Sequence, residues 1–248
     1  YRLGIQHFLI VVNASNNDKD WAWLNAVKDG QVQVNAHMPS RTFIYGDAVQ
    51  LRDLRAESSG ADRRVDIALQ GRNSLKVLTS LANKGGKVSV VRGLEWAGVA
   101  QVTLGKFDLI VSRTGYTGER QGYELFVHPD QATALFQALL ENGAEPCGLA
   151  SRDSLRTEAG LPLYGHELAG DLQLGASDAG MGKFVKLWKP FFVGRDAYKT
   201  YEATRDSVIT RFKINLKGAR PPKAGDPAVD GRGRVIGIVT SCTIDSDG

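Results

Sequence analysis

Apolar and polar positions alternate along several short stretches of the chain, and this period of two predicts β-strands. The clearest stretches are residues 65–69, 99–104, 107–113 and 123–127. A Gly-Lys pair separates the second stretch from the third, so we expect those two strands to form an antiparallel hairpin. Weaker strand patterns occur at residues 8–12 and 49–54.

Helices are predicted where apolar residues recur every three or four positions. One such pattern follows Asn73, and another follows Asp130, and both are residue types that commonly cap a helix. Two more helical patterns are present: one begins after residues 16–18, and the other spans residues 149–159. Strands paired by hairpins with helices on one face indicate an α+β fold with antiparallel or mixed sheets, not a doubly wound sheet.

The helical pattern fades after residue 170, which indicates a change of domain type. Residues 208–216 and 235–241 are strand-like and are separated by a stretch rich in proline and glycine. We therefore expect domain segments at residues 1–64, 65–202 and 203–248, the last being the incomplete start of a β-barrel-like domain. The chain begins with Tyr1 instead of methionine, and we expect it to be a fragment.

Charge and composition exclude several classes of function. The net charge of +4 is scattered and contains no run of five basic residues, so nucleic-acid binding is not supported, whereas a small polyanionic ligand would fit. The sequence contains no run of 18 apolar residues that would suggest a membrane span. Cys147 and Cys242 form no CxxC pair, and the four histidines are not spaced as zinc ligands, so no metal site is expected.

The connection at residues 114–122 is the first candidate for binding chemistry. It has nine residues and three glycines, whereas ordinary hairpin loops have about two to five residues. Tyr116, in its middle, is suited to packing against a flat ring. Glu124 follows on the next strand, where alternation places it on the same face as Phe126. If that face is covered, Glu124 is a buried carboxylate that needs a partner; the alternative is a flexible hairpin with an exposed glutamate.

The predicted helix at residues 149–159 is the second candidate. Helical spacing places Arg152 on the same face as Leu155 and Ala159. A guanidinium among apolar side chains requires a carboxylate, phosphate or planar acceptor. The alternative is a structural ion pair with Asp153 or Glu158.

Taken together, these segments resemble the glycine-cleavage T-protein (aminomethyltransferase) family. The sequence Ser-Arg-Thr-Gly-Tyr-Thr-Gly-Glu at residues 112–119 is similar to one family signature, and residues 148–160 and 163–168 resemble its central signature. The resemblance runs in order along nearly the whole chain, with further similar segments at residues 11–14, 192–196 and 231–241. It implies a T-protein-like folate-binding fold, with parts of two folate-binding subdomains at residues 1–64 and 65–202 and the start of a C-terminal β-domain at residues 203–248.

The resemblance also implies a tetrahydrofolate site. The family glutamate that grips the pterin matches Glu124, and the remaining implied folate-binding residues are Arg152, Tyr116, Asp153, Asn13 and Tyr1. In relatives the catalytic aspartate lies just before the stretch that begins here at Tyr1, so no catalytic residue is assigned in this chain.

The function implied by the resemblance is the transfer of an aminomethyl group from a lipoylated carrier (H) protein to tetrahydrofolate, with release of ammonia. One extra residue between Glu119 and Glu124, and Met181 where aminomethyltransferases often have tryptophan, leave two alternatives. These are a folate-dependent demethylase of a small methylated substrate and a non-catalytic folate-binding protein. The expected compartment is the cytoplasm in bacteria or the mitochondrial matrix in a eukaryote.

Overall fold

The computed structural model describes residues 1–35, 37–38, 48–82, 87–214 and 218–244. The chain forms two compact units: unit 1 contains Tyr1–Val11 and Arg52–Ala159, and unit 2 contains Val12–Leu51 and Gly160–Gly248. The domain segments inferred from the sequence stay a prediction.

The secondary structure is mixed. The described α-helices are α1 (Asn17–Lys28), α2 (Ser74–Ser80), α3 (Val88–Arg92), α4 (Pro129–Glu141), α5 (Leu149–Glu158) and α6 (Arg195–Thr204). The described strands are β1 (Val65–Gln70), β2 (Val99–Leu104), β3 (Phe107–Ser112), β4 (Gly122–Val127), β5 (Pro227–Val229) and β6 (Val235–Ile238).

Unit 1 is built on a four-stranded antiparallel sheet in the order β1-β4-β3-β2. The predicted hairpin is confirmed, because β2 and β3 pair from Val99 opposite Ser112 to Leu104 opposite Phe107. β1 lies beside β4, although more than 50 residues separate them in the chain. This long-range pairing places β1 directly beside β4, the strand that carries Glu124.

One face of this sheet is apolar and forms the core of unit 1. Alternate residues of the strands pack there with residues of α2, α3 and α4, among them Leu69, Val111, Leu125, Leu78, Val91 and Leu135. The predicted α+β arrangement, with helices on one face of an antiparallel sheet, is therefore confirmed. The opposite face, called the polar face below, carries polar side chains together with the buried Ile110 and Phe126, which lie outside this core cluster.

Helix α4 begins two residues earlier than its predicted cap suggests. Asp130 lies inside the first turn, and its backbone N–H donates to the ring Nδ1 of the true N-cap, His128, at 3.3 Å. Pro129 occupies the first turn, where its missing N–H costs nothing.

Unit 2 contains α1, α6, short 3-10 turns and an antiparallel pair formed by β5 and β6. The strand predicted at residues 208–216 is wrong for residues 208–214, which are not in a β-ladder, and residues 215–217 lie outside the described part. The strand predicted at residues 49–54 is likewise wrong, and residues 8–12 contribute only an isolated bridge from Phe8 to Arg2. A complete C-terminal β-barrel stays a prediction.

The described residues bear on two expectations from the sequence, one about membrane spans and one about metal sites. No helix among them is long and apolar enough to cross a membrane. Within the same ranges, no group of three acidic, histidine or cysteine side chains is arranged to hold a metal ion. Cys147 and Cys242 are exposed free thiols.

Candidate functional site

Glu124 lies on the polar face of the unit 1 sheet. In the strand register it stands opposite Ala68 on β1 and Ser112 on β3. Its neighbour Leu125 is fully buried on the core face, whereas Glu124 is partly exposed. The alternation predicted for β4 is therefore present, with Phe126 on the same face as Glu124.

Two hydroxyl groups hold the Glu124 carboxylate. Thr114 Oγ1 donates to Glu124 Oε2 at 2.9 Å, and the Tyr1 hydroxyl donates to the same oxygen. The two hydroxyls are also 2.8 Å apart, and Ser112 Oγ lies 3.2 Å from Thr114 Oγ1. The Tyr1 ring meets the Phe126 ring edge-on, with centroids 6.0 Å apart. Tyr1 thus covers part of the polar face.

The electrostatics of Tyr1 follow from this contact. Burial, together with the adjacent Glu124 carboxylate, raises the pKa of the Tyr1 phenol above its ordinary value, because both disfavour a phenolate. Tyr1 therefore remains a neutral hydrogen-bond donor at physiological pH.

Glu124 retains capacity for a ligand. Within the described part of the chain, both hydrogen bonds to its carboxylate reach Oε2 and none reaches Oε1. A carboxylate offers about four lone-pair sites. The group is thus fixed in orientation by protein donors and can still accept N–H bonds from a bound molecule.

Gln70, which the sequence analysis missed, shapes the long loop before Glu124. Its Nε2 lies 3.2 Å from the backbone carbonyl oxygens of both Thr114 and Tyr123, and its Oε1 accepts from Thr117 Oγ1 at 3.3 Å. A β-carbon at Gly115 would lie 1.8 Å from Gln70 Oε1. The glycine is therefore required by the close approach of the Gln70 side chain.

The same loop contacts the C-terminal end of α5. Gly118 has a φ of +82°, and a β-carbon there would lie 2.5 Å from the Ala159 β-carbon. Tyr116 lies between these contacts and is partly buried. The loop is thus a packed element with Tyr116 at its centre.

Helix α5 carries two arginines in different environments. Arg156, not Arg152, is the buried one, with 2% of its surface exposed. Its Nε and Nη2 atoms lie 2.7 and 2.6 Å from Asp153 Oδ1. The ion pair that the sequence suggested as an alternative role for Arg152 thus belongs to Arg156. Arg152 is exposed, and its positive charge acts on Asp66 of β1.

Asp66 is a second carboxyl on the polar face, and the sequence analysis did not single it out. Burial raises its pKa from the ordinary 3.8 to about 7, the Glu124 charge adds to the rise, and the Arg152 charge opposes it. The residue is nevertheless exposed to solvent, which screens these charges and moderates the rise. A ligand can therefore reach the Asp66 carboxyl, although protein atoms exclude part of the water around it.

Asn13 lies in unit 2, where it is exposed and its carbonyl accepts the Asn16 N–H at 3.0 Å. Unit 2 also joins α1 to the family-like segment at residues 163–168, because Lys19 Nζ donates to the Tyr164 hydroxyl at 2.8 Å. This bond lowers the pKa of the Tyr164 phenol. Among the predicted site residues, Tyr1, Tyr116, Glu124, Arg152 and Asp153 all lie in unit 1.

Comparison with known proteins gives the family. The model of the GCVT N-terminal domain matches residues 1–189. The chain belongs to the glycine-cleavage T-protein (GCVT) family. An aminomethyltransferase of Streptomyces avermitilis is 41% identical to it over 248 residues, covering 97% of this chain and 58% of that protein. One from Halothermothrix orenii is 38% identical, with 97% and 59% covered.

A solved structure supports the same assignment. The chain is similar to the glycine cleavage system aminomethyltransferase T from Bartonella henselae, with a TM-score of 0.56 and 30% identity over 72% of this chain and 47% of that one. This GCVT chain spans somewhat more than half of the length of the curated relatives, at 58% and 59%.

Proposed function

We propose that this chain is part of a tetrahydrofolate-dependent aminomethyltransferase. It would move an aminomethyl group from a lipoylated carrier protein to tetrahydrofolate, with release of ammonia. The family and the aminomethyltransferase relatives support the reaction class. The bacterial origin of those relatives favours a bacterial cytoplasm as its compartment.

The observation that carries the proposal is the Glu124 carboxylate held by Tyr1 and Thr114. Because the two hydroxyls fix Oε2, the side chain does not have to be ordered when a ligand arrives, which favours binding. The guanidine-like edge of a pterin presents two N–H groups in a fork, and a carboxylate accepts such a fork well. The donor-free Oε1 and the remaining lone pair of Oε2 fit this edge.

Other residues of unit 1 suit the remaining parts of a folate. Arg152 is exposed and positively charged, which favours the carboxylates of the folate glutamate or a planar acceptor. Tyr116 offers an aromatic surface from the packed loop. Asp153 is paired with Arg156, so we propose that Asp153 stabilises α5, the helix that carries Arg152. A ligand role for Asn13 stays a prediction.

When bound, tetrahydrofolate supplies the amine nitrogen that accepts the one-carbon unit. The chain's own contribution is orientation: Glu124 holds the pterin edge while Tyr1 and Thr114 hold Glu124. A negative charge at this position also stabilises positive charge that develops on the ligand during transfer.

The test is ligand-dependent thermal unfolding of the chain with 5-formyltetrahydrofolate. At a ligand concentration of about 100 times Kd, a specific site should stabilise the wild type by about 2.7 kcal/mol. Glu124→Gln should lose most of this stabilisation, since an amide presents only one acceptor oxygen to the N–H fork. Glu119→Gln, in the exposed part of the same loop, is the matched control and should behave like the wild type.

Transfer itself is tested by adding an aminomethyl-loaded lipoyl carrier and measuring ammonia and methylenetetrahydrofolate. Product formation that requires Glu124 supports the aminomethyltransferase. In a protein that also contains the implied catalytic aspartate, folate binding without transfer would favour a folate-binding role, and the absence of ligand stabilisation in a cooperatively unfolding wild type would contradict the proposal.

A further inference from the structure

The polar face of the unit 1 sheet brings two carboxyl groups into one neighbourhood. Ala68 stands opposite Glu124 in the register of β1 and β4, and Asp66 stands opposite Phe126. Asp66 is therefore the diagonal neighbour of Glu124 on the same face. Diagonal pairs on antiparallel strands lie about 7–8 Å apart. Two hydrogen bonds of about 2.9 Å each take up most of such a gap and leave room for two neighbouring polar atoms on one edge of a ring.

The charges that act on Asp66 come from two other elements. Glu124 on β4 disfavours the ionised form and Arg152 on α5 favours it. Farther along the same face, Arg64 Nη2 is paired with Asp108 of β3 at 3.2 Å. Arg64 is thus already occupied by another carboxylate. The positive charge that acts on Asp66 is that of Arg152, which is itself exposed to solvent.

The two carboxyl groups differ in the partners that the protein gives them. Glu124 accepts from Tyr1 and Thr114, which suits an ionised carboxylate. For Asp66, none of the hydrogen bonds described for the chain involves its side chain, and burial raises its pKa to about 7. At neutral pH a large fraction of Asp66 carries a proton and can donate, whereas Glu124 accepts. One face therefore presents an acceptor and a donor at a fixed spacing.

We propose that Asp66 is a second carboxyl of the ligand site, which in its protonated form donates a hydrogen bond to an acceptor on the same ring whose N–H groups bind Glu124. The inference rests on the proposed function and deepens it. A pterin carries a ring carbonyl directly beside its N–H edge, so donors and an acceptor lie within one plane. An acceptor at Glu124 and a donor at Asp66 together match this arrangement. A ring edge that bears only N–H donors would leave the Asp66 proton without an acceptor.

The test is isothermal titration of the chain with 5-formyltetrahydrofolate between about pH 6 and pH 8.5, on both sides of the Asp66 pKa. The wild-type affinity should fall by about tenfold across this range, because the donor proton is lost. Asp66→Asn keeps a donor that does not titrate, so its affinity should change little with pH. Asp66→Leu should bind about tenfold more weakly than Asp66→Asn at every pH, as expected for a lost hydrogen bond.

Proton uptake gives a second measurement that needs no variant. Near pH 7.5, titrations in buffers of different ionisation enthalpy should show that the wild type takes up part of a proton when it binds, and Asp66→Asn should not. Asp108→Asn, on the same face but paired with Arg64, is the matched control and should keep the wild-type profile.

The outcomes separate the inference from the function on which it rests. If the wild type and Asp66→Asn share one pH profile and one proton uptake, Asp66 is not a donor to the ligand, and the inference alone is overturned. The same holds if wild-type affinity rises with pH and Asp66→Asn abolishes the rise. If the wild type does not bind the folate, both the proposed function and this inference fail.

Discussion

Gln70 and Gly122 form a tight fit at the base of the loop that precedes Glu124. A β-carbon at Gly122 would lie 2.1 Å from Gln70 Oε1. The Gln70 amide cannot simply turn away, because it also contacts the backbone carbonyls of Thr114 and Tyr123. Thr114 in turn donates to Glu124, so the geometry of the loop and that of the carboxylate depend on the same contacts.

The first prediction is that Gly122→Ala destabilises the chain by about 1–3 kcal/mol, as expected when atoms are added to a packed position. The loss has a specific cause, since the new methyl group displaces the Gln70 amide. In Gln70→Ala, which has no amide to displace, the same substitution at Gly122 should cost much less. Urea unfolding of the four proteins of this double-mutant cycle measures the coupling. Additive losses would mean that the two residues do not interact.

The second prediction separates the two arginines of α5. Arg156→Leu should lower the free energy of unfolding by about 1.5–3 kcal/mol, because it removes charge-assisted hydrogen bonds from a buried group. Arg152→Leu, at an exposed position, should change it by no more than about 0.5 kcal/mol. For folate affinity measured by titration, we expect the larger loss in Arg152→Leu.

The reverse result would have a clear meaning. If Arg152→Leu strongly lowered the free energy of unfolding and left the folate affinity of the folded protein unchanged, Arg152 would be a structural residue. Because both substitutions are made on one helix with the same new side chain, helix propensity does not differ between them.

The sequence predicts the environment of Glu124 better than that of Asp66, for a physical reason. Strand alternation has a period of two, so the side of the sheet on which Glu124 lies follows from its apolar neighbours in β4 alone. Whether Asp66 lies beside Glu124 depends on the pairing of β1 with β4, which no local pattern encodes. The proximity of the two carboxyl groups therefore follows only from the register of β1 and β4, not from a sequence pattern.

The arginines of α5 illustrate a similar limit. Arg152 and Arg156 are four residues apart and share a helix face, so the periodicity that pointed to Arg152 applies equally to Arg156. The tertiary packing decides which of them is buried. The strand prediction failed for residues 208–214 because strand propensity depends strongly on having a neighbouring strand, and the part of the chain that the structure describes offers them none.

The third prediction concerns the two donors to Glu124. Tyr1→Phe and Thr114→Val each remove one hydroxyl and keep most of the side chain, so each should weaken folate binding by about 0.5–1.5 kcal/mol. Because both donate to Oε2, the double variant should lose more than the sum of the single variants, since no protein donor then holds this oxygen. Calorimetric titration at one pH gives all four affinities. Strict additivity would show that the hydroxyls do not act through a common carboxylate.

The fourth prediction follows from the raised pKa of Asp66 and needs no ligand. An acid that binds its proton more tightly in the folded state, here with a pKa of about 7 against an ordinary 3.8, makes the folded state less stable as pH rises between those values. Above about pH 7 the penalty is constant, and below about pH 4 it is absent. Asp66→Asn cannot ionise and escapes the penalty. Its free energy of unfolding relative to the wild type should therefore increase from about pH 4 to pH 7 and then level off. Urea unfolding of both proteins across this range measures the difference, and a difference that is independent of pH would show that folding leaves the Asp66 carboxyl unperturbed.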